Sequence, residues 1–337
     1  MIAMIEITDI VDASRWEDFV LSHPQGNVFQ SSMMTEAYRK TRNYNPVCLT
    51  AVDSATGDIL AVMQATIITE FGGLLSAFSS RSILQGGPLF VDSPPGREAA
   101  RLLLEHYNRL VGSKVVYTQI RNMWDTQDSA EMFAALGYEY DQHLDFLIDL
   151  DRNKDEIWQD IHKSRRKGIN RAEKNGMVVR KVSSMEELTA CYDLVDDTYK
   201  RFKVPIADIS LFKAVYEDLA PIGFADFFIA VLDNEAVGTR ITLNYKDMVY
   251  DWYAGSKPEI DYVDELLVWH VLKENAGKYK VFDFGGAGHP DKPYGVREFK
   301  RRFGGEMVNF GRYEKVHSRA RSSIAGFGFS VYKKLMV

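Results

Sequence analysis

Lys300 stands where two patterns meet. In FDFGGAGHPDKPYGVREFKRRFGGE, which begins at Phe282, a strand is expected to end at Phe284. Glycines 285, 286 and 288 then permit close backbone approach, and a short helix is expected to turn Val296, Phe299 and Phe303 inward. Lys300 falls beside that stripe, near the end of the sheet, where an ammonium could face an oxyanion developing on an acyl carbonyl. A general base is less clearly marked: Asp251, Asp283, His289 and Asp291 are candidates, each as readily a turn or hydrogen-bonding residue.

A second chemical feature is charge. The chain has 337 residues and a formal net charge of -6, yet IHKSRRKGINRAEKNG, beginning at Ile161, places six basic residues between Lys163 and Lys174 against one acid, Glu173. From Glu156 onward the spacing predicts an amphipathic helix with Trp158, Ile161, Ile169 and Ala172 on one face. Lys163, Arg166, Lys167, Asn170, Arg171 and Lys174 occupy the other, and Asn175-Gly176 supplies the stop. Arg165 falls near the apolar stripe, so either the helix breaks around Ser164 or the guanidinium reaches toward an anion. A solvated face complementing the helix dipole explains the same charges; against an acidic surface, the segment would also attract a phosphate-bearing partner. Downstream, Lys200, Arg201 and Lys203 precede Pro205, and Arg201 is suited to a bidentate phosphate contact or to a salt bridge with Asp196 or Asp197.

Positioning these groups requires a large framework. Hydrophobic residues make up 46% of the chain, enough for two α/β (α+β) domains. The same order of elements is expected twice: a hairpin, a long helix, a strand, a short helix and a closing strand. The first copy runs from PVCLTAV to HLDFLIDL and the second from FADFFIAVL to EMVNFGRY. This order is that of tandem GNAT-like acyltransferase domains with mixed central sheets. The boundaries are placed at 1–150, 151–315 and a helical tail at 316–337. The tail is expected to pack on the body, with a membrane-surface contact as the alternative.

The scattered histidines give no metal-site spacing, and Cys48 and Cys191 read as inert buried thiols. The first twenty residues hold no run fit for a signal peptide or a membrane span, so a cytoplasmic protein is expected, with the inner membrane face as a further possibility. The second long helix opens from YAGSKPEIDYVDE, whose acids would repel the pyrophosphate of coenzyme A. Another acyl carrier is therefore expected.

The chain resembles, nearly end to end, the Fem aminoacyltransferases. The likeness is carried by GNVFQSS with YRKTRNYNP behind it, SRRKGINRAEKNG, YKRFKVPI, WYAGS, and FDFGG followed by EFKRRFGG. The absence of a long coiled-coil arm makes it similar to the family's compact branch. The resemblance implies transfer of an amino acid from aminoacyl-tRNA, as co-substrate with no cofactor or metal, to a nucleotide- or lipid-linked muramyl peptide of peptidoglycan synthesis. It implies that Lys300, preceded by Phe299, lies at the aminoacyl ester, that Tyr253 lies near the acceptor peptide, and that Arg201 holds the nucleotide-sugar phosphate. Arg39 or Lys40 would take the place of an amino-terminal acceptor-binding lysine. On this reading Arg166 joins Arg201 at the acceptor's phosphates, while Lys163, Lys167, Arg171, Lys174, Arg301 and Arg302 track the tRNA backbone. Two other functions fit the sequence: a coenzyme A-dependent N-acyltransferase acting on a sugar amine, and a non-catalytic RNA-binding module.

Overall fold

The structure, a computed structural model, describes residues 4–9, 12–70 and 79–318. Two compact units divide the chain, Met1–Gln142 with Phe310–Val337, and His143–Asn309.

The first unit contains β1 (Ile5–Thr8), α1 (Ala13–Ser22), α2 (Ser32–Arg39), β2 (Tyr44–Asp53), β3 (Ile59–Thr69), β4 (Ser80–Gln85), β5 (Leu89–Phe90), α3 (Pro94–Val111), β6 (Tyr117–Arg121), α4 (Ala130–Ala135) and β7 (Glu139–Asp141). With β15 (Arg312–Val316) arriving from the far end of the chain, its strands follow the order β1-β2-β3-β4-β6-β15-β7, with β5 on β3. Ser93 caps α3 and Pro94 fills its first turn, where no intrahelical N–H partner is lost. Leu103, Leu104, Tyr107 and Val111 of that helix pack against Leu49, Met63 and Leu84 of the sheet.

The second unit contains β8 (Asp145–Asp149), α5 (Lys154–Asp160), α6 (Lys163–Lys174), β9 (Val178–Lys181), α7 (Met185–Arg201), α8 (Ile209–Ala214), β10 (Ala225–Leu232), β11 (Glu235–Tyr245), β12 (Met248–Ser256), α9 (Val263–Asn275), β13 (Val281–Gly286), α10 (Gly295–Arg301) and β14 (Glu306–Val308). Its sheet runs β14-β8-β13-β12-β11-β10-β9, with β12 and β13 parallel and the other pairs antiparallel. Both sheets are mixed, as the two-domain acyltransferase pattern requires.

Chain division differs from the sequence expectation at two strands. HLDFLIDL, expected to close the first unit, supplies β8 to the second, because Leu144, Phe146, Ile148 and Leu150 all enter the second core. EMVNFGRY, expected as one strand, is divided. Glu306–Val308 pairs with β8, and β15 (Arg312–Val316) pairs with β6 and β7 and places Tyr313 in the first core. Hydrophobic alternation shows that a strand has an inward face but not which sheet it joins. The boundary near Asp151 therefore falls one strand late.

The basic segment is two helices instead of one. A capping box between Asn153 and Glu156 starts α5, and Ile161 leaves the helical conformation. His162 then caps α6 through the Ser164 N–H. Cys48 is half-buried and Cys191 buried; burial pushes both thiols up, Cys191 to about 11. Residues 319–337, which carry most of the expected tail helix, lie outside the described residues. No helix among the described residues is long and apolar enough to cross a membrane.

Candidate active site

The turn after β13 builds the centre of the second unit's site. Asp283 is buried, and its Oδ1 accepts the Gly285 N–H at 2.8 Å. Gly285 has φ +72°, a left-handed conformation that glycine adopts without Cβ strain. This turn points three successive carbonyls, those of Phe284, Gly285 and Gly286, at Lys300 Nζ, with the latter two at 2.9 and 3.1 Å. Three acceptors match the three N–H donors of an ammonium. Lys300 is only 8% exposed. Its pKa is lowered chiefly by desolvation, with Asp251, Asp145 and Asp283 opposing that shift. An oxyanion would have to displace one of the three carbonyls to bind the ammonium directly. Phe284 and Phe303 are buried and Phe299 half-buried, but Val296 is exposed, contrary to its expected inward direction: only Phe299 and Phe303 of the three reach the core.

Around this ammonium lie carboxyl groups whose burial raises their pKa values. Asp145, on β8, stands opposite Gly286 in the strand register, next to the turn that fixes Asp283, and the carboxyl group of each shifts the titration of the other. Burial is the largest cause in each case. It pushes Asp283 up to about 6 and Asp145 well above the usual carboxylate range. Asp251 is also raised by burial, even though Arg240 Nη1 lies 2.6 Å from its Oδ2. Arg240 is 4% exposed and places a second guanidinium nitrogen 3.7 Å from Asp264. The sequence reading named Asp251 and Asp283 but missed Asp145 and Arg240. Arg240 had a legible signal, being a cation inside the apolar strand AVGTRITLNY, where burial demands a partner. His289 and Asp291, the other proposed bases, form a turn in which the Asp291 N–H donates to His289 Nδ1.

The start of α9 is occupied by acids with their own cations. Asp264 accepts from Ser256 Oγ at 2.7 Å and faces Arg240, while Glu265 is paired with Arg165. Arg165 also stacks over Phe299, 4.4 Å from the ring centroid, so its departure from the solvent face is explained by an anion and an aromatic ring together. Lys163, Lys167, Arg171 and Lys174 are exposed on α6, and Arg166 is half-buried. Arg301 and Arg302 are both held by Glu298.

Arg201 Nη2 donates to Thr198 Oγ1 and to the Ser256 carbonyl, each at 2.8 Å; Lys200 takes Asp196 instead. Tyr253 packs with Tyr199, Phe212 and Trp252 in an aromatic cluster. Ser256 lies on the same strand as Tyr253, so β12 links the Arg201 position to that cluster. Arg39 and Lys40 belong to the first unit; Arg39 is exposed and paired with Glu36.

Known proteins match this architecture over almost its whole length. FemX superimposes with a TM-score of 0.69 at 17% identity, covering 92% of this chain and 97% of its own. The chain shares the fold of FemX. L-PGS from Bacillus licheniformis gives a TM-score of 0.57 at 15% identity, with 95% and 96% coverage. A tandem GNAT protein from the clavulanic acid biosynthesis pathway gives 0.62 at 10% identity, with 94% and 99% coverage. Residues 160–301 match the family model of an acetyltransferase (GNAT) domain. No curated protein matches the chain. The fold is thus a tandem GNAT-like, Fem-like one, and the matched segment spans α6 through α10.

Proposed function

We propose that this protein is an aminoacyltransferase of cell-envelope synthesis, moving an amino acid from aminoacyl-tRNA to the amine of a nucleotide- or lipid-linked muramyl peptide. The carrying observation is the start of α9. Acyl-coenzyme A enzymes of this fold hold a pyrophosphate on backbone N–H groups there, whereas here Asp264 and Glu265 occupy the first turn and are neutralised from within by Arg240 and Arg165. Such a corner commits its cations to its own carboxylates and offers a pyrophosphate no net positive charge, which favours a donor held elsewhere. The likeness to FemX and L-PGS supports the same direction. The exposed cations of α6 suit the phosphates of an RNA acceptor stem.

On this reading the ester carbonyl lies near Lys300 and Phe299, and the acceptor near Tyr253, with its phosphates at Arg201 and Arg166. Aminolysis of an ester runs downhill, so the protein's task is to position a neutral amine and stabilise the oxyanion. Holding both partners together supplies about 7–11 kcal/mol at the upper limit known for oriented reactants, and Lys300, once one of its three carbonyl acceptors gives way to the oxyanion, adds at most about 3 kcal/mol.

The test is transfer of radiolabelled amino acids from a panel of charged tRNAs to UDP- and lipid-linked muramyl peptides. Transfer by the wild type, its loss in Lys300→Ala, and retention of tRNA on a filter by that variant are expected. The GNAT match favours a second reading, thioester-dependent acylation of a sugar amine. Protection against thermal unfolding by coenzyme A, with none by the muramyl nucleotide, would select it.

A further inference from the structure

Resting on the aminoacyl-transfer reading, we infer that the Asp145–Asp283 carboxyl pair accepts the proton of the attacking amine, with Asp145 as its outer member. Geometry carries this assignment. Asp283 is 1% exposed and fixed by the Gly285 N–H, whereas Asp145 is half-buried and accepts its own neighbour's N–H, from Phe146, at 2.7 Å. The two residues come from antiparallel strands whose register shifts between Asp283 and Gly286, opposite Leu147 and Asp145. The shifted register sets Asp145 opposite Gly286, whose carbonyl accepts from Lys300, beside the turn that fixes Asp283.

The surrounding charges set what the pair can hold. Lys300 faces it from α10 and Asp251 from β12; Arg240 on β11 backs Asp251, with Asp264 beyond. His143 sits beside Gly286, and Tyr250 is the register neighbour of Asp283 on β12. With one shared proton, the pair and Asp251 balance Lys300 and Arg240. Burial sets uptake of a second proton near the value of about 6 at Asp283, close to a neutral working pH.

The step balances as follows. The acceptor arrives as an ammonium and cannot attack. One of its protons passes to the outer oxygen of Asp145 while the shared proton slides to Asp283. The freed nitrogen lone pair forms the C–N bond to the ester carbonyl carbon, and the carbonyl π pair moves onto oxygen. A second nitrogen proton passes to the ribose oxygen as the C–O bond breaks and the carbonyl re-forms. The amide and the free ribose hydroxyl depart, and the proton left on the pair returns to solvent through Asp145.

The experiment has two arms on the full chain. In carbon-13 NMR of aspartate-carboxyl-labelled protein without substrates, one carboxyl should titrate near pH 6 and disappear in Asp283→Asn; titration of every aspartate below about pH 5 overturns the proposal. In single-turnover transfer, Asp145→Asn should slow the wild-type rate about 100-fold at neutral pH and remove the acid limb centred near pH 6. Its tRNA and nucleotide affinities should be unchanged. An unaltered rate and limb in that variant overturns the proposal while leaving the transferase reading intact. Absence of transfer by the wild type with every donor overturns the reading, and the proton step with it.

Discussion

A single buried carboxyl group at position 283 should make this protein's stability depend on pH in an unusual direction. Most folded-state aspartates have lowered pKa values and lose stability as the medium becomes acidic. Asp283 is pushed up to about 6, so between about pH 4 and 6 the native state binds more protons than the unfolded chain. Its contribution therefore weakens stability as pH rises through that window, and the loss is complete above it. The displacement amounts to about 3 kcal/mol. Urea denaturation from pH 4 to 7 should show this slope superimposed on that of the other carboxylates, and Asp283→Asn should remove it, because asparagine still offers an oxygen to the Gly285 N–H. At this scale the sequence was partly legible. Lys300 and Asp283 could be named because FDFGG and EFKRRFGG fix a strand, a turn and a helix around them. Asp145 could not, since nothing in HLDFLIDL tells which sheet its strand joins.

At the scale of the element, helices α6 and α9 are held together by apolar contact and by a part-buried ion pair. Arg165 and Glu265 are 17% and 13% exposed, and Ile169 and Ala172 pack with Leu266 and Trp269 in the same core. Gly168 makes the approach possible: a Cβ there would lie 2.5 Å from Tyr262 Cδ1 at the start of α9. Removing the guanidinium strands a part-buried carboxylate, for which the cost of a fully buried unpaired charge, about 3–5 kcal/mol, is the ceiling. Arg165→Met should lower the unfolding free energy in urea by up to that amount, and adding Glu265→Gln should restore much of it. If the double variant is as unstable as the single one, the stacking of Arg165 over Phe299 dominates instead. The amphipathic pattern of α6 was readable because its exposed cations and buried Gly168, Ile169 and Ala172 repeat at helical spacing. The break, expected around Ser164 as one alternative, falls earlier, at Ile161–His162, where the pattern hides it because Ile161 continues the apolar stripe even though its backbone is extended.

At the scale of the whole molecule, two expectations separate electrostatics from topology. On the proposed reading, in which the α6 cations contact the phosphates of a tRNA, binding should show a steep salt dependence carried by that helix. Replacing Lys163, Lys167, Arg171 and Lys174 with glutamine should weaken tRNA retention and flatten the slope of log K against log salt by about 3, given a slope of 0.7–0.9 per phosphate contact. An unchanged slope would remove the RNA from this face. Topology gives the sharper test. Because β8 lies between β13 and β14, the second unit's core includes Leu144, Phe146, Ile148 and Leu150. A fragment of residues 143–309 keeps those side chains and should unfold cooperatively. A fragment of residues 151–309, cut where the sequence alone places the boundary, exposes the edge of β13, leaves β14 unpaired and takes Asp145 from Asp283. Losing four buried apolar side chains at about 1.5–3 kcal/mol each is comparable to the whole stability of a domain this size, about 5–15 kcal/mol. Circular dichroism on heating should show a sigmoidal transition for the longer fragment and none for the shorter one. Cooperative melting of both would mean that the strand contributes little to the core it enters.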